Sequence, residues 1–227
     1  TGRTALIEAV VKDDTASVAL LLEKGADVAI AGNEGETALS LAAFKGNINV
    51  VRALAEKKAD INSTDNDGET PLMQAINYRE NTEVVKFLLE KGANINAADK
   101  TGQTALVIAV SEGISNMVKM LVESGADVNI RDNRGKNAMV IAVEENNAEI
   151  VKMLIDKISK IDEESDKGKT ALVYAASKGN EELVKLLIEK KADVNHQDKK
   201  GQSVLRYAGE KSGNDKVIEI LKAAGAR

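Results

Sequence analysis

A metal, a nucleophile or a phosphate would each need a particular set of side chains, and a few short stretches of this chain approach one. His196 is the sole histidine and cysteine is absent. A zinc site would therefore rest on carboxylates alone, without the usual nitrogen and sulfur ligands. Thiol nucleophiles and disulfides are excluded. A Ser/His/Asp set needs its histidine held between two partners, and His196 lies beside a turn, where solvent is its expected surrounding. Gly168-Lys169-Thr170 imitates the end of a phosphate-binding loop, but Glu163 stands where that loop needs a glycine five residues before Gly168. Asp65-Asn66-Asp67-Gly68 imitates a calcium loop, yet that register puts Ser63 at the first ligand position and Gln74 at the last, so the bidentate carboxylate is missing. Glu144-Glu145 and Glu181-Glu182 read as solvated helix surface. No catalytic residue, metal or cofactor is expected from these sets.

What positions all of these residues is a period. Gly2, Gly35, Gly68, Gly102, Gly135, Gly168 and Gly201 recur at spacings of 33 or 34 residues. Each sits in a stretch such as Asp99-Lys100-Thr101-Gly102-Gln103-Thr104-Ala105-Leu106. The Asp-x-x-Gly part is a turn: Asp bonds forward to the backbone and Gly supplies the positive φ. Thr4, Thr37, Thr70, Thr104, Thr170 and Ser203 then read as helix N-caps, and Pro71 falls at a first helical position, where proline is tolerated. A short Ala-rich helix follows, as in Ala38-Leu39-Ser40-Leu41-Ala42-Ala43, broken by Gly46, Gly113 or Gly179. A second helix carries doubled apolar pairs, Val50-Val51, Val84-Val85 and Leu183-Val184 among them, which give it one broad apolar face. Gly25, Gly92, Gly125 and Gly225 end that helix where left-handed backbone favours glycine. The phosphate-loop and calcium-loop likenesses are both this same turn.

The composition agrees. Apolar residues make up 43% of 227, enough for a core, while aromatics are 2% and Trp is absent, so aliphatics and Ala must build it. A net charge of −5 with interspersed signs implies no global attraction to nucleic acid. No stretch approaches the roughly 20 apolar residues of a membrane span. The chain begins at Thr1 without an apolar signal segment, a start compatible with a segment upstream, and no compartment is read from it. A monomer is expected.

The period, the turn with two helices, Gly-x-Thr-Ala/Pro-Leu and the tail Gly125-Ala126-Asp127-Val128-Asn129 together resemble the ankyrin repeat family, over essentially the whole chain. The resemblance implies an all-α solenoid of helix-turn-helix units joined by β-turn, hairpin-like loops. One domain spans 1–227, with repeats at about 1–31, 32–64, 65–98, 99–131, 132–164, 165–197 and 198–227. The family's His after Leu is replaced by Ile7, Ser40, Met73, Val107, Val140, Val173 and Arg206, so its hydrogen bonds are not expected, and Val107, Val140 and Val173 imply apolar stacking instead. Divergence among the units marks a natural array, of bacterial style, rather than a consensus design. Lys58, Ile158 and Lys191 replace the helix-ending glycine; left-handed backbone there would cost about 1 kcal/mol, more at a β-branched residue. The loop around Ile158–Asp162 is expected to be the most irregular. Single insertions fall near Arg79-Glu80-Asn81 and Ser212-Gly213.

Function follows from the resemblance: a scaffold that holds a protein partner, or an interaction domain of a larger protein. In the family, partners are often held by the turn tips and the exposed face of the first helix, on the concave side. Carried over by position, those tips include Glu36, Glu69, Arg134, Lys136 and Lys169. The first-helix ends supply Phe44, Lys45, Asn77, Tyr78, Glu112 and Lys178. Phe44 and Tyr78 are expected exposed in adjacent repeats, as aromatic anchors, whereas Tyr174 and Tyr207 fall inward as a core stack. The tips are acidic in repeats two and three and mainly basic from four to seven, which would steer a partner of opposite polarity. Acidic neighbours and scarce aromatics argue against nucleic acid, and no deep pocket with perturbed groups is foreshadowed for an enzyme.

Overall fold

The structure, a computed structural model, describes residues 2–76, 81–210 and 212–227. Among them the chain forms α1 (Ala5–Val11), α2 (Thr15–Glu23), α3 (Ala38–Lys45), α4 (Ile48–Glu56), α5 (Pro71–Ile76), α6 (Thr82–Glu90) and α7 (Ala105–Ser111). It continues with α8 (Ser115–Glu123), α9 (Ala138–Glu144), α10 (Ala148–Leu154), α11 (Ala171–Lys178), α12 (Glu181–Glu189), α13 (Val204–Gly209) and α14 (Asp215–Ala223). Apart from isolated antiparallel bridges at Ala98–Thr104 and Gln197–Ser203, no strand forms among the described residues. Nor is any helix among them long and apolar enough to cross a membrane.

Two compact units divide the chain. Unit one comprises Thr1–Glu112 with Ser124–Ala126, and unit two Gly113–Glu123 with Asp127–Arg227. In unit one the first helices stack as α1 on α3, α3 on α5 and α5 on α7, with α2 on α4 and α4 on α6 behind them. In unit two the same pattern runs α9 on α11 and α11 on α13, backed by α8 on α10, α10 on α12 and α12 on α14. The doubled apolar pairs face into these stacks: Val50, Val51 and Leu54 in α4, and Leu183, Val184 and Leu187 in α12, are all buried. Val107, Val140 and Val173 are at most 1% exposed, so the histidine position is indeed apolar packing there. Arg206, at the same position, is exposed.

The first-helix caps form as read at five of six positions. Thr4, Thr37, Thr70, Thr104 and Ser203 each accept from the backbone N–H three residues on. Thr170 does not: its backbone is extended but its hydroxyl makes no cap bond. Asn137 caps α9 instead of a threonine, accepting from Val140 N at 3.0 Å.

The second helices carry caps of their own. Asp14, Asn47, Asn147 and Asn180 accept from the N–H three residues on. Where the chain holds one extra residue, the asparagine does something else. Asn214 donates to the carbonyls of Ala176 and Ala208 at 3.3 and 3.0 Å, tying α11 to α13, and caps nothing. Asn81 likewise donates to Ala43 and Ala75.

The helix ends divide in a way that corrects one expectation. Lys58 and Lys191 do adopt left-handed backbone, at φ 64° and 65°. Ile158 does not: it is extended, at φ −76° and ψ 131°. The chain avoids the strain by stopping α10 at seven residues and closing with a 3-10 turn over Ile155–Lys157. The irregular loop is therefore real, but its cause is a shortened helix.

Candidate binding surface at the turn tips

The turns are held by carboxylates acting on their own backbone. Asp65 Oδ1 accepts from the N–H groups of Asp67 and Glu69 at 2.9 Å each. Asp99, Asp132 and Asp198 repeat this with the residues two and four places on. Gly32 has no side chain to do so, and the Glu36 carboxylate folds back into the space to take the Glu34 N–H at 3.0 Å. Ser165 serves with its hydroxyl, accepting from Lys169 N at 3.2 Å.

Turns are then bonded to turns. In unit one Asn66 N donates to Glu34 O at 2.8 Å and Lys100 N to Asp67 O at 2.9 Å. In unit two Asp166 N donates to Arg134 O at 2.7 Å and Lys199 N to Lys167 O at 3.2 Å. His196 adds a strap: half-buried rather than solvated, it places Nε2 2.7 Å from the Gly168 carbonyl, which can only accept. With its backbone groups engaged, a tip offers side chains from a fixed frame.

In unit one the sequence-read residues are dispersed. Glu36 is held by Arg3 at 3.0 Å; burial pushes its carboxyl up, but the bonds from Arg3 and the backbone hold it below the ordinary value. Glu69 moves the opposite way. Burial, then the charges of Asp65, Asp99 and Asp67, raise it, against a bond from Gln74. Lys45 and Glu112 are exposed at the ends of α3 and α7. Phe44 is half-buried, a correction to the open position expected for it. Asn77 and Tyr78 lie outside the described residues.

Unit two brings three of them together. Arg134, Lys136 and Lys169 line one cleft of about 350 Å³ with Lys167, Glu144, Asp166 and Tyr174. Lys136 is not the exposed tip the sequence suggests: its side chain is 8% exposed, 2.5 Å from Glu144 and 5.1 Å from the centre of the Tyr174 ring. Lys169 lies over two rings, 5.8 Å from Tyr174 and 4.2 Å from Tyr207. Arg134 turns back to Asp132 at 3.0 Å. Lys178 is exposed at the end of α11.

Tyr174 and Tyr207 are buried as expected of an inward position, but they are more than a core stack. Tyr207 Oη lies 2.7 Å from Asp198 Oδ2 and 2.8 Å from Gln202 Oε1, and Tyr174 Oη 3.4 Å from Ser165 Oγ. Each ring thus reaches back to its own turn and supports a lysine with its face. Burial, then the bond to Asp198, pushes the Tyr207 hydroxyl up to about 12. The same bond, with the backbone bonds of the turn, holds Asp198 below the ordinary carboxylate value. The sequence signal for this pairing was the tyrosine nine residues after the turn's first position in two successive units.

A sequence profile of the ankyrin repeats (three copies) matches residues 1–65, 57–132, 97–165 and 139–227, the full length in overlapping stretches. Among solved structures, the ankyrin repeat domain of Bcl-3, described as a unique member of the IkappaB protein family, is 29% identical with a TM-score of 0.83. The alignment covers 97% of this chain and 99% of that domain. No curated protein sequence matches the chain. With the profile spanning every repeat and the helix-turn-helix stacks in place, the chain belongs to the ankyrin repeat family.

Proposed function

We propose that the seven units read in the sequence form one protein-binding domain, which holds its partner along the turn tips and the first helices, on the concave side. The observation that supports this reading best is the tip frame itself. Turn-to-turn backbone bonds fix where each side chain starts, so a partner meets a preorganised row and loses less ordering entropy on binding. Arg134, Lys136 and Lys169 in unit two, Glu36 and Glu69 in unit one, and Phe44, Lys45, Asn77, Tyr78, Glu112 and Lys178 on the first helices are the contacts this reading assigns.

Photo-crosslinking tests it. A photoactivatable residue is placed in turn at Lys45, Lys100 and Lys167, and at the exposed second-helix positions Lys119 and Lys185. The protein is then irradiated in an extract of its source cells. A partner captured from the first group and not the second is the expected result. Capture only from Lys119 and Lys185 would move the site to the second helices and end this reading.

A further inference from the structure

Four cations line the cleft of unit two, Arg134, Lys136, Lys167 and Lys169, against two carboxylates, Glu144 and Asp166, with the Asp198 charge also acting on Lys169. Lys136 has Glu144 and Arg134 has Asp132. Lys167 and Lys169 have no carboxylate at ion-pair distance among the described residues. Lys169 also shares the Tyr174 ring with Lys136, so two ammonium groups converge on one aromatic. The ring faces attract both charges but supply no oxygen to accept their N–H groups. An anion beside Lys167 and Lys169 would supply that oxygen and gain from the surrounding positive field.

Resting on the reading that the tips bind a protein, we propose that this cleft receives anionic side chains of an extended acidic segment in the partner. Lys167 and Lys169 donate to it directly, Arg134 and Lys136 add field, and Tyr174 forms the floor. The ligand chemistry is the side-chain carboxylate of a glutamate or aspartate. A nucleic acid fits less well. Tyr174, 8% exposed, has no open face for a base to stack on.

The test uses the full chain and four fluorescein-labelled probes in an anisotropy titration at low salt. They are a peptide with six glutamates between Gly-Ser ends, its glutamine counterpart, its phosphoserine counterpart and a hexamer of deoxythymidine. The glutamate peptide should bind and the glutamine peptide should not; tighter binding of the phosphoserine peptide would overturn the carboxylate as the source. Lys167→Glu with Lys169→Glu should weaken binding about tenfold, and Lys167→Gln alone a few-fold. Glu144→Gln, which frees Lys136, should tighten it.

Lys167 is exposed and makes no side-chain bond among the described residues, so its loss is not a folding defect even if Lys169→Glu proves to be one. Equal binding of the glutamine peptide, an unchanged affinity in Lys167→Gln, or tighter binding of the deoxythymidine hexamer would each overturn the assignment. Crosslinks at the tips without preference for anionic peptides would sink this assignment alone. Crosslinks confined to the second helices would remove the reading beneath it.

Discussion

Thr170 and Thr104 occupy the same position ahead of a first helix and differ in one bond. Thr104 Oγ1 accepts from Val107 N at 3.3 Å; Thr170 Oγ1 is buried with no hydrogen-bond partner among the described residues. A buried hydroxyl without a partner costs about 1–3 kcal/mol, while a cap bond is worth about 1 kcal/mol. Valine keeps the shape and removes the hydroxyl. Thr170→Val is therefore expected to leave stability unchanged or raise it, and Thr104→Val to lower it by about 1 kcal/mol. Urea denaturation of both variants checks this, and equal losses would show that Thr170 is bonded after all. A second residue reports on pH. Tyr207 has a folded pKa of about 12, above the ordinary value of 10. Its contribution to stability is fully present below pH 10 and is lost as pH rises through about 12. Tyrosinate absorbance should show one late step near that pH, absent in Tyr207→Phe. A titration of the variant that matches the wild type would remove Asp198 as its partner.

At the scale of helices, the inserted residues and the glycines before them belong to one device. Gly179 ends α11 with φ 77°, and a Cβ there would stand 2.1 Å from Asn214 Oδ1. Gly113 has φ 69°, but a Cβ on it would meet nothing nearer than Asn147 Nδ2 at 3.8 Å. Both substitutions to Ala incur the left-handed cost of about 1 kcal/mol; only Gly179→Ala also drives Asn214 off its two carbonyls. It should cost roughly 2–3 kcal/mol, against about 1 for Gly113→Ala. In an Asn214→Ala background the excess should shrink, the non-additivity expected of contacting residues. Thermal melts of the four proteins decide; equal costs at both glycines would separate Gly179 from Asn214. This device shows where sequence reading stopped. The threonine caps, the helix-ending glycines and the insertions were legible because each depends on its own few neighbours. Asn214 tying α11 to α13 depends on how one helix pair lies on the next, 38 residues away, and no local pattern encodes that.

Across the chain the same division holds for the candidate surface. The tip positions were legible from the period. The burial of Lys136 and the sharing of Tyr174 by two lysines were not, since both arise when neighbouring units come into register. Stability should obey the same nearest-neighbour logic, because the bonds within each unit join residues in adjacent helix pairs. Leu187 tests it. It is fully buried in α12, a helix that packs on α10, α11 and α14. Leu187→Asp buries an unpaired carboxylate and should cost at least about 4 kcal/mol, while the exposed Lys185→Asp beside it should change little. A Leu187→Asp protein that melts with the wild type would disprove the core assignment. If the damage spreads by neighbours, amide protection in unit two should fall most in α11, α12 and α14, less in α10 and least in α8. An equal fall from α8 to α14 would mean that unit two opens as one block, and a sum of interface energies would then not describe it.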